Sequence, residues 1–221
     1  YSQLEFRVAG FLSKDPVIYE EVQSGFDVHS YTAEIMGVSR QDAKAHTFKP
    51  LYGGVLGTNR EMAYYSAFRN KYQGVTTWHD KLQEEAVTKK IITLPSGREY
   101  AFPYAKYTRY GTTVGATSIK NYPVQGFATA DLLPLALIRL HKCLKAMVKP
   151  KPQSRIINTV HDSIIMDVHP DEKNTMIELL KRSMLCIPEE CSTVFGVTFD
   201  MPIDIEMKIG TDWLNLEELK I

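Results

Sequence analysis

Four side chains set the chemical question. Arg40, Lys44, Phe48 and Tyr52 recur every fourth residue within RQDAKAHTFKPLY (40–52). A step of four turns an α-helix about 40° past a full circle, so the four share one slowly drifting face, cations first and aromatics after. Two cations a turn apart can hold a polyphosphate, and the aromatics can stack on a base or a sugar. Taken by itself, the stretch reads more simply as a solvated basic turn running into a buried aromatic pair. A second candidate is Asp162, in RIINTVHDSIIMDV (155–168). Two β-rich runs flank His161-Asp162-Ser163, which puts a carboxylate at the tip of an apolar hairpin. An aspartate there loses by desolvation unless it meets a cation or a metal, or serves the turn's own hydrogen bonding.

These residues need elements to carry them. Residues 1–12 begin strand-like and become an amphipathic helix with Leu4, Val8, Phe11 and Leu12 on one side, and Glu5 beside that stripe. Pro16 suits the first turn of a helix over 16–24 that ends at Gly25, and a third helix covers about 28–37 and stops at Gly37. His29, near the start of that helix, is of a type most often found at the surface or as a cap. Ser39 caps the helix of the basic-aromatic stretch, which should bend or end near Pro50 and stop at Gly53-Gly54. Residues 59–72 and 74–89 read as a helical pair broken at Gly74. IITLPSGREYAF (91–102) reads as a β-hairpin, and 103–126 as loop or short helix. A long amphipathic helix follows over 128–147, with Pro134 near its start. Then come the Asp162 hairpin, a helix over 170–186 and strands within 197–209 before Trp213. The order predicts an α+β fold: an antiparallel sheet with a mostly helical insertion.

Composition narrows the classes. The 221 residues are 44% hydrophobic, enough for a sizeable core, and 26 basic residues cancel 26 acidic ones. Any basic surface is therefore local, and the densest run is Lys142, Lys145, Lys149, Lys151 and Arg155, a linker or a phosphate-backbone contact. Three cysteines without a CxxC pair suit neither a disulfide framework nor zinc, and read as reduced residues of a cytosolic-type compartment. No apolar run approaches the ~20 residues of a membrane span. Beginning at Tyr1, the sequence reads as a piece of a longer protein.

The motifs together resemble the family A DNA polymerases, a family with bacterial and phage members. YSQLEFR (1–7), R-x3-K-x3-F-x3-Y (40–52) and VHDS (160–163) resemble the family's three polymerase motifs in order, and DVHSYTA (27–33), YPVQG (122–126) and GTDW (210–213) extend the likeness over nearly the whole chain. The resemblance implies a palm antiparallel sheet with a helical fingers subdomain, divided as palm 1–25, fingers 26–115 and palm 116–221. It implies template-directed transfer of deoxynucleotides to a primer 3′-hydroxyl by a two-metal (Mg²⁺) mechanism, with primer-template DNA and dNTPs as partners. Residue by residue, Arg40, Lys44 and His29 match contacts to the nucleotide's phosphates, and Lys44 an acid for the leaving pyrophosphate. Phe48 matches the residue packing on sugar and base, Tyr52 the one beside the templating base, and Glu5 the steric gate against ribonucleotides. Ser2 and Gln3 fall in the same nucleotide-binding motif. Asn121, Gln125 and His161 match minor-groove contacts. Asp162 matches a catalytic metal ligand, and the Tyr1 carbonyl a backbone ligand.

Three departures qualify the match. The family's first motif opens with a metal-bridging aspartate immediately before the position of Tyr1. Ser163 stands where glutamate is usual, and Lys49-Pro50 replaces a flexible glycine at the end of the fingers helix. The short spacing between the first two motifs fits a phage-type enzyme. The resulting expectation is the C-terminal part of a split polymerase, in the host cytoplasm if phage-derived. Its N-terminal partner chain would carry the missing aspartate, the thumb and an exonuclease, and no membrane is involved. The rivals are a non-catalytic nucleic-acid-binding remnant, a metal-dependent phosphohydrolase built on His161-Asp162, and an RNA polymerase of related fold. Retention of Arg40, Lys44, Glu5 and Asp162 opposes the first, the absence of further histidines at metal-ligand spacing the second, and Glu5 the third.

Overall fold

The computed structural model describes residues 1–109, 111–147 and 151–219. They form two compact units, one of residues 5–127 with 200–202, the other of residues 1–4, 128–199 and 203–221.

The first six helices of the first unit have ends that follow the local chemistry. Helix α1 spans Leu4–Ser13, α2 Pro16–Ser24, α3 Val28–Met36, α4 Arg40–Leu51, α5 Asn59–Lys71 and α6 Gln73–Lys89. Asp15 caps α2, its Oδ1 accepting from the amides of Val17 (3.0 Å) and Ile18 (3.2 Å), with Pro16 in the first turn. Asp27 and Ser39 cap α3 and α4, and Thr58 and Glu61 close a capping box on α5. Gly25 and Gly37 end α2 and α3 in the left-handed conformation. The expected break at Gly74 falls at Tyr72 instead, and Gly74 lies in the first turn of α6. Its reason is close approach: a Cβ there would lie 2.7 Å from the Asp15 Cα, and the Val75 amide donates to Asp15 Oδ2 at 3.2 Å. One fully buried carboxylate thus joins the starts of two helices.

Aromatic rings fill this unit. Phe6 meets Tyr72 edge-on at 5.7 Å and Phe68 meets Tyr72 at 4.5 Å, all three buried. Strands β1 (Ile91–Thr93) and β2 (Glu99–Ala101) form the expected antiparallel hairpin, and α7 spans Ala116–Gln125.

A π-helical turn over Gly126–Leu132 replaces the start of the helix expected from residue 128, and α8 runs Leu133–Ala146. Pro134 has no N–H to offer the carbonyl four residues back, so the α-ladder is interrupted there. In the second unit α8 packs with α9 (Lys173–Leu185) and α10 (Ile187–Phe195), where Leu135, Ala136, Leu140, Met176 and Ile187 are buried. Helix α10 had no counterpart in the sequence reading. Strands β3 (Arg155–Val160) and β4 (Ser163–Asp167) pair antiparallel, with a register shift between Ile156 and Asn158. Of the strands expected within 197–209 only β5 (Met207–Ile209) forms, and it pairs with β6 (Glu217–Leu219). The fold is α+β as expected, and its antiparallel strands occur as three separate two-stranded ladders among the described residues. Lys149 of the basic run lies outside the described residues. Arg155 of that run turns onto its own backbone, donating to the carbonyls of Pro152 (2.6 Å) and Ser154 (2.9 Å).

Candidate nucleotide and metal sites

The face of α4 exists as predicted, and buried polar groups hold it. Thr47, on the opposite side of α4, is fully buried and lies 2.8 Å from the Thr32 hydroxyl, which in turn meets the Tyr64 hydroxyl at 2.7 Å. His29 is neither a surface residue nor a cap: it is 4% exposed and its Nδ1 lies 3.2 Å from Thr47 Oγ1. Burial, then the nearby Arg40 and Lys44 cations, push its pKa down to about 4 against the opposing pull of Asp27, so the ring is neutral at pH 7. These hydroxyls and the imidazole satisfy one another, which fixes α4 against α3 and α5.

The candidate residues line up along the exposed side. Arg40 Nε donates to Asp27 Oδ2 at 2.6 Å. Burial alone would raise the Asp27 pKa, but Arg40 and Ser30 bring it down to about 2. Lys44 makes no hydrogen bond or ion pair among the described residues and is half-buried. Phe48 meets His29 at 5.3 Å and stacks on Tyr52 at 5.9 Å with the ring planes 8° apart. Tyr52 then donates to Glu5 Oε2 at 2.5 Å. Burial, followed by the Glu5 charge, raises the Tyr52 phenol well beyond its ordinary value, and a hydrogen bond from the Gln125 side chain pulls the other way. Glu5, Tyr52 and Gln125, from α1, the end of α4 and α7, thus form one polar chain. Asn121 sits one turn before Gln125 on α7, with its Oδ1 buried and without a hydrogen-bond partner among the described residues. No sequence period links Glu5, Tyr52 and Gln125, so that chain could not be foreseen. Asp27 as the counter-charge of Arg40 was missed for the same reason, although its capping role was legible.

In the second unit the structure brings Tyr1 and Asp162 together. The Tyr1 backbone nitrogen lies 3.3 Å from the Asp162 carbonyl oxygen and 3.8 Å from Oδ2. The Tyr1 hydroxyl donates to the Met184 carbonyl at 3.1 Å, and the Ser2 amide to the Asp204 carbonyl at 2.9 Å. Gln3 follows at φ 53°, a left-handed position that costs a non-glycine residue about 1–2 kcal/mol. His161 and Asp162 form the two-residue turn, with His161 at φ 53°, the positive φ that tight hairpins of primed type require. Ser163 closes the turn, its Oγ donating to the Val160 carbonyl at 2.7 Å. The hydroxyl standing in the usual glutamate position therefore has a structural use. The Asp162 side chain is 31% exposed.

As donors to a metal ion, the described residues contain no cluster of three or more His, Cys, Asp or Glu side chains. One carboxylate and a backbone carbonyl are hard ligands of the right kind for magnesium, but too few to make a resident site, which takes six oxygens.

The described residues thus offer cations and then aromatics along one helix of the first unit, and an aspartate on a tight hairpin of the second. The family model for DNA polymerase family A matches residues 1–215, and the chain belongs to that family. DNA polymerase I of Lactococcus lactis subsp. cremoris is 30% identical over 234 residues, covering 96% of this chain and 25% of the relative. DNA polymerase I of Streptococcus pneumoniae is 31% identical over the same shares, and the thermostable DNA polymerase I of Thermus aquaticus 27% identical over 99% of this chain and 27% of its own. The chain thus spans about a quarter of the length of these relatives. The POL domain of Pol1 from M. smegmatis, solved with DNA primer-template and dNTP, matches the fold with a TM-score of 0.70 at 23% identity, over 85% of this chain and 36% of that one.

Proposed function

We propose that this chain carries the nucleotide-selecting helix and one metal-ligand hairpin of an enzyme that synthesises DNA on a template. The reaction joins a primer 3′-oxygen to the α-phosphorus of a dNTP and releases pyrophosphate. The observation that carries this reading is the set of contacts of Tyr52 with Phe48, Glu5 and Gln125: residues from three distant segments, matched to the family separately, meet on the α4 side of one unit. Arg40 and Lys44 would hold the triphosphate, and Lys44, without an ion pair among the described residues, would protonate the departing pyrophosphate. Phe48 would pack on the sugar and base, and Tyr52 stand beside the templating base. The Glu5 carboxylate, anchored by Tyr52, would close the space a ribose 2′-hydroxyl needs. Neutral His29 could donate one hydrogen bond to a phosphate but adds no charge. Asn121, Gln125 and His161 would read acceptors common to correct base pairs in the minor groove.

Asp162 and the Tyr1 carbonyl would supply ligands to Mg²⁺, with nucleotide phosphates and further carboxylate oxygens completing the shell. Such ions stabilise charge on the attacking and leaving oxygens of phosphoryl transfer. The family's first-motif aspartate would be needed whether it lies on the same polypeptide or on a partner chain.

Primer extension with Mg²⁺ and the four dNTPs tests the reading, using the full protein, the protein plus a polypeptide carrying the first-motif aspartate, and Asp162→Asn in each. Extension lost in Asp162→Asn supports it, and extension only in the mixture supports a split enzyme. Duplex binding without extension in any mixture would replace it with a nucleic-acid-binding module.

A further inference from the structure

The short turn between α2 and α3 carries Asp27, the carboxylate that pairs with Arg40, and a lysine from α5 packs against that turn. Lys71, the last residue of α5, places its Nζ 3.8 Å from the centroid of the Tyr31 ring, 4.6 Å from that of Phe26 and 5.2 Å from that of Tyr72. The Glu21 carboxylate near the end of α2 completes the enclosure. Its Oε1 lies 2.6 Å from the ammonium, and its Oε2 accepts from the Tyr72 hydroxyl at 2.8 Å. Three rings and one carboxylate thus close in the cation, leaving 24% of the side chain exposed. Each of these partners holds a cation more strongly as water is excluded.

Phe26 and Tyr31 flank Asp27 in sequence, and their rings meet at 5.5 Å. The Phe26 amide donates to the Glu21 carbonyl at 2.9 Å, tying the turn back to α2. Asp27 itself is fixed to α3 by its cap, accepting from the His29 amide at 3.0 Å and the Ser30 hydroxyl at 2.7 Å. The lysine between the two rings fixes that capped start of α3 against the end of α5. Arg40 Nε then donates to Asp27 Oδ2 at 2.6 Å. Arg40 is 48% exposed at the start of α4, and a bond at Nε restricts its rotamers and orients the planar fork that grips phosphate.

We infer that Lys71 is a positioning residue: held among Phe26, Tyr31, Tyr72 and Glu21, it fixes the α2–α3 turn, and through Asp27 it orients Arg40 for an anionic ligand. That the ligand is the triphosphate of a dNTP rests on the proposed polymerase reading; the orientation of Arg40 does not. Methionine at position 71 would keep the stem's packing on the rings and lose the charge. Arginine would keep a cation that stacks on aromatic faces and pairs with Glu21. A residue acting only as packing would tolerate methionine better than arginine.

The test uses the full protein with K71M, K71R, D27N and the double variant D27N/K71M. K71M is expected to raise the KM for the correct dNTP about fivefold with kcat within about twofold, and K71R to restore most of it. Because Lys71 acts through Asp27, the double variant should be no worse than D27N alone. Proton exchange at Arg40 Nε–H, followed by NMR, should quicken in K71M and in D27N alike. A K71M with wild-type KM and Arg40 exchange, KM losses that simply multiply in the double variant, or a K71R no better than K71M would each overturn the inference. If K71M does not fold, Y31L takes its place: with one ring removed, it should show both effects at smaller size and lose them in the D27N background, and wild-type values in Y31L overturn the inference. If the wild-type protein extends no primer, the functional reading fails while the Arg40 exchange measurements still decide the positioning.

Discussion

The two candidate sites are built in contrasting ways. The α4 face is tied at most of its steps, Arg40 to Asp27, His29 to Thr47 and Tyr52 to Glu5 and Gln125, with Lys44 left unpaired among the described residues. The hairpin bearing Asp162 is lightly held. Its strand β3 is largely exposed, with Ile157 at 56%, and only Ile164 of β4 is buried. On the proposed function, the contrast would be a division of labour. Selecting among similar nucleotides needs side chains ordered before the ligand arrives, because ordering them afterwards would consume binding energy. A metal ligand needs an accessible carboxylate, and a tight turn with a strained His161 supplies one without a packed surround.

The contrast can be broken first at the hairpin. Asp162→Asn should reduce primer extension roughly 10³-fold or more. Its melting temperature should match the parent, since the side chain is partly exposed and adds little packing. A large loss of stability would show the hairpin to be more than a ligand carrier.

Packing gives the next largest difference. Phe6→Ala, at 1% exposure, should destabilise the first unit by about 3–5 kcal/mol in urea titration. Ile157→Thr in β3 should stay within about 0.5 kcal/mol. Equal effects would erase the distinction between a packed and a lightly held region.

Tyr52→Phe sharpens the comparison more finely. It keeps the stack on Phe48 and removes the hydrogen bond to Glu5, worth about 1.5–3 kcal/mol for a charged acceptor. The ratio of deoxyribonucleotide to ribonucleotide incorporation should fall by about tenfold, with correct dNTP insertion less affected. An unchanged ratio in single-nucleotide insertion assays would detach Glu5 from that role.

The smallest effects are those of pH. His29 has an ordinary pKa of 6.5 and a folded value of about 4, so between these the unfolded chain binds the proton and the folded chain does not. Stability therefore falls as pH drops from 6.5 to 4 and levels off below, and His29→Gln should flatten that segment of the urea midpoint against pH. Asp27 runs from 3.8 to about 2, so its pairing stabilises fully above pH 4 and is lost as pH falls through 2. Asp27→Asn keeps the helix cap while removing the charge, so its deficit at pH 7 should vanish near pH 2.

Much of this molecule was legible from residue order because the governing forces are local. Pro16 and Ser39 announced the starts of their helices, Gly25 and Gly37 ended theirs, and the period-four spacing put Arg40, Lys44, Phe48 and Tyr52 on one face. Gly74 misled because its cause, contact with Asp15, lies far back along the chain. The strands expected across 197–209 shrank to Met207–Ile209 because alternation alone does not provide a pairing partner.

What the sequence determined by itself was the boundaries of α2, α3 and α4, the hairpin turn at His161-Asp162 and the identity of the chemical groups, since each depends on preferences within a few residues. Only the tertiary structure decided the state of those groups. It made His29 a buried neutral ring rather than a cap, gave Arg40 a carboxylate and joined Tyr52 to Glu5 across 47 positions. Protonation and pairing are set by burial and by neighbours brought from far along the chain, and no local pattern encodes those distances.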